Sequence, residues 1–201
     1  MIVFKKIKSK PNIFNNFTGM TLIEFTNLLP NFERAYETQL AQLDKSRKEP
    51  RQRKRGGGRK SELISLQDKL FFILFYFKFY PVQAVQGYFF GFGQSQANEW
   101  IHRLSPVLNK ALGYEKQLPA RKMKDVKQML ESCPDLEFII DGTERPIQRP
   151  KDKKRQKEFY SGKKKRHTIK NNVITDKRTK KIKALSDTKE GSMHDKKLAD
   201  D

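Results

Sequence analysis

Asp141 is the first residue to which a chemical role can be given. It closes the apolar run Phe138-Ile139-Ile140, is followed by Gly142-Thr143-Glu144, and stands ahead of the most basic segment of the chain. The run is β-favouring and too short for a helix, and Gly142 lets the backbone turn without steric cost. The expectation is a buried strand that ends at Asp141 and presents the carboxylate at its tip, where it can ligate a divalent cation. The plainer alternative is that Asp-Gly is a turn and Asp141 a turn residue.

The elements that position such a group follow from length and charge. The 201 residues hold 15 Phe and 36% hydrophobic residues, enough for one large or two small domains with a core. The net charge of +20 is unevenly placed: residues 45–60 carry +8 and residues 145–183 carry +14, with a near-neutral, apolar block between them. Concentrated positive charge implies a polyanion, either nucleic acid or an anionic membrane. The membrane is the poorer fit, because the apolar block 70–80 is broken by Lys78 and falls short of the roughly 20 residues that span a bilayer. The N-terminus lacks a signal-like apolar region, so the expected location is the cytoplasm. A single cysteine and three scattered His exclude an internal disulfide and give no structural zinc site.

Along the chain, residues 1–20 read as a loose lead-in. Thr21-x-x-Glu24 forms a capping box that opens a helix closed by Pro30, and Asn31 caps a second helix with Phe32, Tyr36, Leu40 and Leu43 at helical spacing. Lys45 to Lys60 carries Gly56-Gly57-Gly58 and no apolar residue, which predicts a flexible basic arm whose Arg53, Arg55 and Arg59 meet phosphates or the minor groove. Ser65-x-x-Asp68 is a second capping signature, before an apolar helix over 63–79 that must form the buried centre of a small bundle. Pro81 suits the start of the next helix, with Val82, Val85 and Tyr88. Gly91-Phe92-Gly93 makes a tight turn, and Ser95 caps a third helix from Gln96 to Leu108, stopped or kinked by Pro106.

Two short helices joined by a glycine turn describe a helix-turn-helix. The second helix would lie in the major groove of double-stranded DNA. Gln94, Gln96, Asn98 and, a turn later, Arg103 would face the bases, with Glu99 and His102 beside them, since amides suit adenine edges. A generic three-helix bundle with a polar outer face is the alternative. Arg121 to Glu131 reads as a polar helix, and the domain boundary falls near residue 115. The organisation is thus 1–60 helical lead-in and arm, 61–115 helix-turn-helix, and 116–201 a second domain. Within the last, 148–166 reads as a loop or mobile arm, His167–Thr175 as a strand, Asp176–Lys180 as a hairpin turn, Ile182–Ser186 as a third strand, and the stretch from His194 as a helix. Three strands in sequence, an acid on the first and then a helix make the opening of an RNase H-like domain, so the fold class is α+β: an all-α unit followed by the truncated start of an α/β unit.

Three stretches, Asp141-Gly-Thr-Glu-Arg-Pro-Ile-Gln-Arg-Pro150, Tyr160-Ser-Gly-Lys-Lys-Lys-Arg-His-Thr-Ile-Lys170 and Gly191-Ser-Met-His-Asp195, resemble the DDE-superfamily transposases of bacterial insertion sequences, in the branch related to Harbinger elements. The resemblance extends over residues 20–201. It implies a protein that binds the ends of its insertion sequence and a family chemistry in which carboxylates hold divalent cations, with Mg²⁺ suited to such oxygen ligands. Asp141 matches the first acid of the DDE triad. Lys163, Lys164, Lys165, Arg166 and His167 would lie beside it on the next strand and grip phosphate.

The family's second Asp and its Glu have no match before Asp201, and Asp195 fits a helix-capping role better than a metal ligand. The expectation is therefore a fragment that binds DNA without cutting it, the upstream product of a frame-broken gene, completed by a downstream transposase fragment or a second copy if at all. A stand-alone helix-turn-helix regulator of its element is the alternative, and an RNA-binding basic protein a third reading.

Overall fold

The computed structural model describes residues 2, 4–47, 49, 61–115, 118–121, 131 and 137–194. The chain divides into two compact units, Met1–Leu118 and Pro119–Asp201. The basic arm, the polar helix 121–131, Cys133, Asp195 and the C-terminal helix lie outside the described residues, except at the ends of the first two.

The first unit is helical: α1 (Phe4–Ile7), α2 (Pro11–Thr18), α3 (Leu22–Lys45), α4 (Leu66–Phe79), α5 (Gln83–Phe90) and α6 (Gln94–Tyr114). The N-terminal residues are not a loose lead-in, because α2 plants Phe14 in the core, where it packs edge-on against Phe25 and stacks on Phe71. Both capping boxes form as the spacing predicts, Thr21 with Glu24 and Ser65 with Asp68. Residues 70–75 of α4 are all buried, which makes this helix the centre of the bundle as its composition requires.

Neither proline ends its helix. Pro30 sits inside α3 and Pro106 inside α6. A proline in a helix interior costs about 3 kcal/mol. On α3, however, Phe25, Leu28, Phe32 and Ala35 straddle it, and on α6 Leu104, Val107, Leu108 and Ala111 do, all buried in one cluster. Each fully buried large apolar side chain gains about 1.5–3 kcal/mol, so continuity of the apolar face outweighs the lost hydrogen bond. Asn31 caps nothing; its side-chain amide donates to Glu115 at 3.1 Å.

The second unit is built on β3 (Arg166–Asp176), which pairs antiparallel with β1 (Phe138–Pro146) on one side and with β2 (Tyr160–Ser161), β4 (Ile182–Leu185) and β5 (Lys189–Glu190) on the other. The turn between β3 and β4 is set by Asp176, whose carboxylate accepts from the Arg178 and Thr179 backbone and from the Thr179 hydroxyl at 2.7 Å. The basic stretch before β2 is not a loose arm. It holds a short helix, α7 (Lys153–Phe159), capped by Asp152, which accepts from the Arg155 N–H at 2.9 Å.

Asp141 does not end its strand. β1 continues through Gly142 to Pro146, with Asp141 opposite Val173 and Glu144 opposite Lys170. The ladder to β3 overrides the turn preference of Asp-Gly, and the strand is not buried either: β1 lies at the edge of the sheet, with Ile140 65% exposed.

Candidate nucleic-acid interface

In the helical unit, α5 and α6 are joined by Gly91-Phe92-Gly93, as the glycine spacing predicts. The turn folds tightly onto α5: the Phe92 N–H donates to Gly87 O at 2.9 Å, and a Cβ on Gly87 would lie 2.5 Å from Phe92 O. α6 starts earlier than Ser95 would set it, with Gly93 in the N-cap position and no side-chain cap. Gln94 is therefore the first helical residue. Gln94, Gln96, Glu99, His102 and Arg103 are exposed, while Asn98 is half-buried. The Arg103 guanidinium stands 4.9 Å over the Trp100 ring, and Gln39 of α3 donates to Arg103 O at 3.0 Å. The exposed part of the helix thus carries Gln94 and Gln96 near its start and Arg103 a few turns on. Arg53, Arg55 and Arg59 lie outside the described residues.

A buried cation behind that helix carries no sequence signal of its own. Lys69 Nζ donates to Leu63 O at 2.7 Å and Ile64 O at 3.2 Å, and stands 5.6 Å from the Trp100 ring and 5.9 Å from that of Tyr36. Burial lowers its pKa, against the pull of neighbouring Asp68 and with a further push from Arg103. It ties the segment before α4 to α3 and α6.

In the sheet unit, Asp141, Gly142, Thr143, Glu144, Lys163, Lys164 and Lys170 line a pocket of about 230 Å³. Lys163 and Lys164 reach it from the turn between β2 and β3 rather than from a strand. Lys165 occupies the same turn with a positive φ of 53°, outside the pocket lining. Arg166 and His167 begin β3, opposite Ser161 and Tyr160, and the His167 ring packs edge-on against Tyr160.

Three separated stretches of sequence meet at this pocket. Thr168 donates to Glu144 Oε1 at 2.7 Å, the Lys164 N–H donates to Ser161 Oγ at 3.2 Å, and Lys170 Nζ donates to Met193 O at 2.7 Å. Gly191 touches Thr168 so closely that a Cβ there would lie 2.1 Å from Thr168 Oγ1. Burial alone would raise the Glu144 pKa, but hydrogen bonds with Ser161 and Thr168 and the charges of Lys170 and Lys164 outweigh it and hold the carboxyl below its ordinary value. Sequence reasoning does not single out Glu144. The signal that could have found it is its spacing from Asp141, within the same motif.

Divalent cations of the Mg²⁺ type want several oxygen ligands. Glu144 already accepts from the Thr168 hydroxyl, and three lysines line the same pocket. Among the described residues no group of three His, Cys, Asp or Glu gathers to hold a metal. The three lysines of the pocket suit an anion such as phosphate, and Asp141 contributes a carboxylate to the same lining.

Residues 61–113 match the family model described as the helix-turn-helix of DDE superfamily endonuclease, and residues 140–201 the model described as DDE superfamily endonuclease. Endonucleases of that superfamily are generally dependent on divalent metals. A probable transposase for insertion sequence element IS702 from Microchaete diplosiphon is 30% identical over 148 residues, 73% of this chain and 49% of that protein. The chain thus spans about half the length of that relative. No solved structure gives a significant match. Among the described residues no helix is long and apolar enough to cross a membrane.

Proposed function

The chain belongs to the DDE-superfamily transposases, with a helix-turn-helix region and an endonuclease region, and from that premise we propose that it acts in the cytoplasm by binding double-stranded DNA at the ends of an insertion sequence. The observation that carries this reading is α6: it follows α5 across a glycine turn and leaves Gln94, Gln96 and Arg103 exposed on a helix whose opposite face is locked in the core. Amides at the start of such a helix can read adenine edges, and the Arg103 cation can meet guanine or phosphate. Arg53, Arg55 and Arg59, on the arm between the first 45 residues and the helix-turn-helix, add phosphate contacts.

The endonuclease region contributes a second contact. Lys163 and Lys164 hold a backbone phosphate beside Asp141, aided by Lys165, Arg166 and His167 around the same turn. Asp141 is the residue of this chain that would take a divalent cation. The activity argued for is DNA binding.

Titration of a labelled mixed-sequence duplex with the full chain over a salt series tests this. The logarithm of affinity should fall steeply with the logarithm of salt, at about 0.9 per phosphate neutralised. An affinity indifferent to salt, or equal for any RNA and any DNA, would overturn it. The self-contained core of Met1–Leu118 also supports a stand-alone regulator that occupies the same ends. In that case Lys163→Ala/Lys164→Ala would leave the salt slope unchanged.

A further inference from the structure

Resting on the reading that the endonuclease region contacts the DNA backbone, we infer that Arg145 and Arg149 form a second, pre-oriented phosphate site that begins on the face of the sheet carrying Asp141. The register fixes the faces. Pairing of β1 with β3 is unbroken from Phe138 to Pro146, and successive side chains of a strand alternate. Asp141, Thr143 and Arg145 therefore share one face, with Val173, Asn171 and Ile169 opposite them, while Glu144 and Lys170 share the other. Arg145 is thus a cation on the same side as the Asp141 carboxylate, about 13 Å along the strand at the usual rise.

Both guanidinium groups are exposed, and each is aimed by an amide oxygen whose own orientation is fixed. Arg145 Nη2 donates to Asn171 Oδ1 at 2.6 Å. Asn171 has no exposed surface, and its amide nitrogen donates to Ser186 O at 3.0 Å and to Thr188 Oγ1 at 3.1 Å, which leaves the oxygen turned to Arg145. Arg149 Nη2 donates to Gln156 Oε1 at 2.8 Å, and Gln156 Nε2 donates to Pro150 O at 2.8 Å. Gln156 belongs to α7, which Asp152 caps, so the stretch after β1 is tied to an ordered helix. The same arrangement occurs twice: an exposed arginine, a carboxamide oxygen behind it, and a backbone carbonyl that holds the carboxamide.

The kind of partner decides what the two arginines can do. A carboxylate would orient a guanidinium and also cancel its charge, whereas a carboxamide orients it and leaves the full charge for an anion. Among the described residues neither arginine pairs with a carboxylate. Each bond to the amide uses one of five N–H donors, and the rest of the fork suits a phosphate. Side chains already held in place lose less freedom when a ligand binds. Four residues of extended chain span at most about 14 Å, so both cations can meet phosphates of one stretch of strand. Such contacts fix register on the duplex and carry no base information.

Duplex affinity of the full chain is measured over a salt series for Arg145→Met, Arg149→Met, the two together, Arg145→Lys, Arg149→Lys and, as reference, Lys163→Ala/Lys164→Ala, with thermal unfolding recorded for each. Each Met variant should lower the salt slope by about 0.9, and the pair by about 1.8. The Lys variants should keep the slope, because the charge stays, and weaken binding several-fold, because an ammonium lacks the planar fork. A purely structural role would shift unfolding and leave the slope alone. Should Arg145→Met fail to fold, Arg145→Lys decides, and affinity equal to the parent overturns the part given to Arg145. Unchanged slopes in both Met variants, with a lowered slope in the lysine reference, overturn the site, and a fall in one Met variant alone overturns the pairing. Unchanged slopes throughout, the lysine reference included, overturn instead the reading that the endonuclease region touches DNA.

Discussion

In Met1–Leu118 the buried side chains are mainly phenylalanines and aliphatics, from Phe14 to Ala111, whereas among the described residues of Pro119–Asp201 they are Ser161, Thr168, Lys170, Asn171 and Asp176, with Ala184 the one buried apolar side chain of that unit. The helical unit is held by apolar burial, which is non-directional and tolerates change on the outer surface. The sheet unit is held by paired polar groups, where removing one partner strands the other at about 1–3 kcal/mol. Asn171 is an instance, since its side chain accepts from Arg145 at 2.6 Å and donates to Ser186 O and Thr188 Oγ1. On α6 the residues proposed to read DNA and the scaffold are separate sets, so one can vary without the other. Around the pocket they are the same residues, and a change to the site is a change to the fold.

The contrast can be broken most heavily in the helical core. Phe72, with no exposed surface, packs edge-on against Phe90. Phe72→Ala should cost about 3–5 kcal/mol. Trp100, the single tryptophan, lies in that unit and reports its unfolding by fluorescence. The β3 amides of the sheet unit should keep their hydrogen-exchange protection in this variant.

Gly191→Ala probes the other unit. The new Cβ would press on Thr168 Oγ1 and on the Thr168 and Phe159 carbonyls, a backbone contact with little give. Overpacking of this kind costs about 1–3 kcal/mol. Exchange protection should fall across 166–176 while the Trp100 transition stays in place, the mirror image of Phe72→Ala.

Acid sharpens the comparison by a smaller margin. Hydrogen bonds with Thr179 lower the Asp176 pKa, and those with Ser161 and Thr168, against burial, lower that of Glu144. For a carboxyl depressed on folding, the stabilisation is fully present above the unfolded value and is lost as pH falls through the folded one. The sheet unit should therefore loosen as pH drops below the ordinary carboxylate range, seen as faster exchange near Ser161, Thr168 and Thr179, with Trp100 fluorescence lagging behind. Glu144→Gln should remove part of that pH dependence.

How far the sequence foretells this differs between the two halves for a physical reason. Capping boxes, the apolar run of α4 and the glycine turn are local signals, and each appears where the residues put it. Pro30 reads as a stop and Pro106 as a stop or a kink because a local rule cannot weigh the apolar face on either side of them. The Asp141 strand runs on past Gly142 because its partner, β3, lies some thirty residues away and no periodicity in β1 announces the pairing. The resemblance of the three basic and acidic stretches points to one pocket without showing how they meet. The bond from Thr168 to Glu144 across the β1–β3 ladder, and that from the Lys164 N–H to Ser161, are matters of three-dimensional register. Lys69 is invisible for the same reason, since its partners are backbone carbonyls and ring faces.

The central claim, that α6 reads duplex DNA, is tested most directly by selecting bound duplexes from a random-sequence pool with the full chain and with Gln94→Ala/Gln96→Ala. The parent should enrich a defined motif, and the double variant should lose preference at one or two adenine-bearing positions, about 1–3 kcal/mol of discrimination at each, while keeping its salt slope. Enrichment of the same motif by both proteins would contradict it.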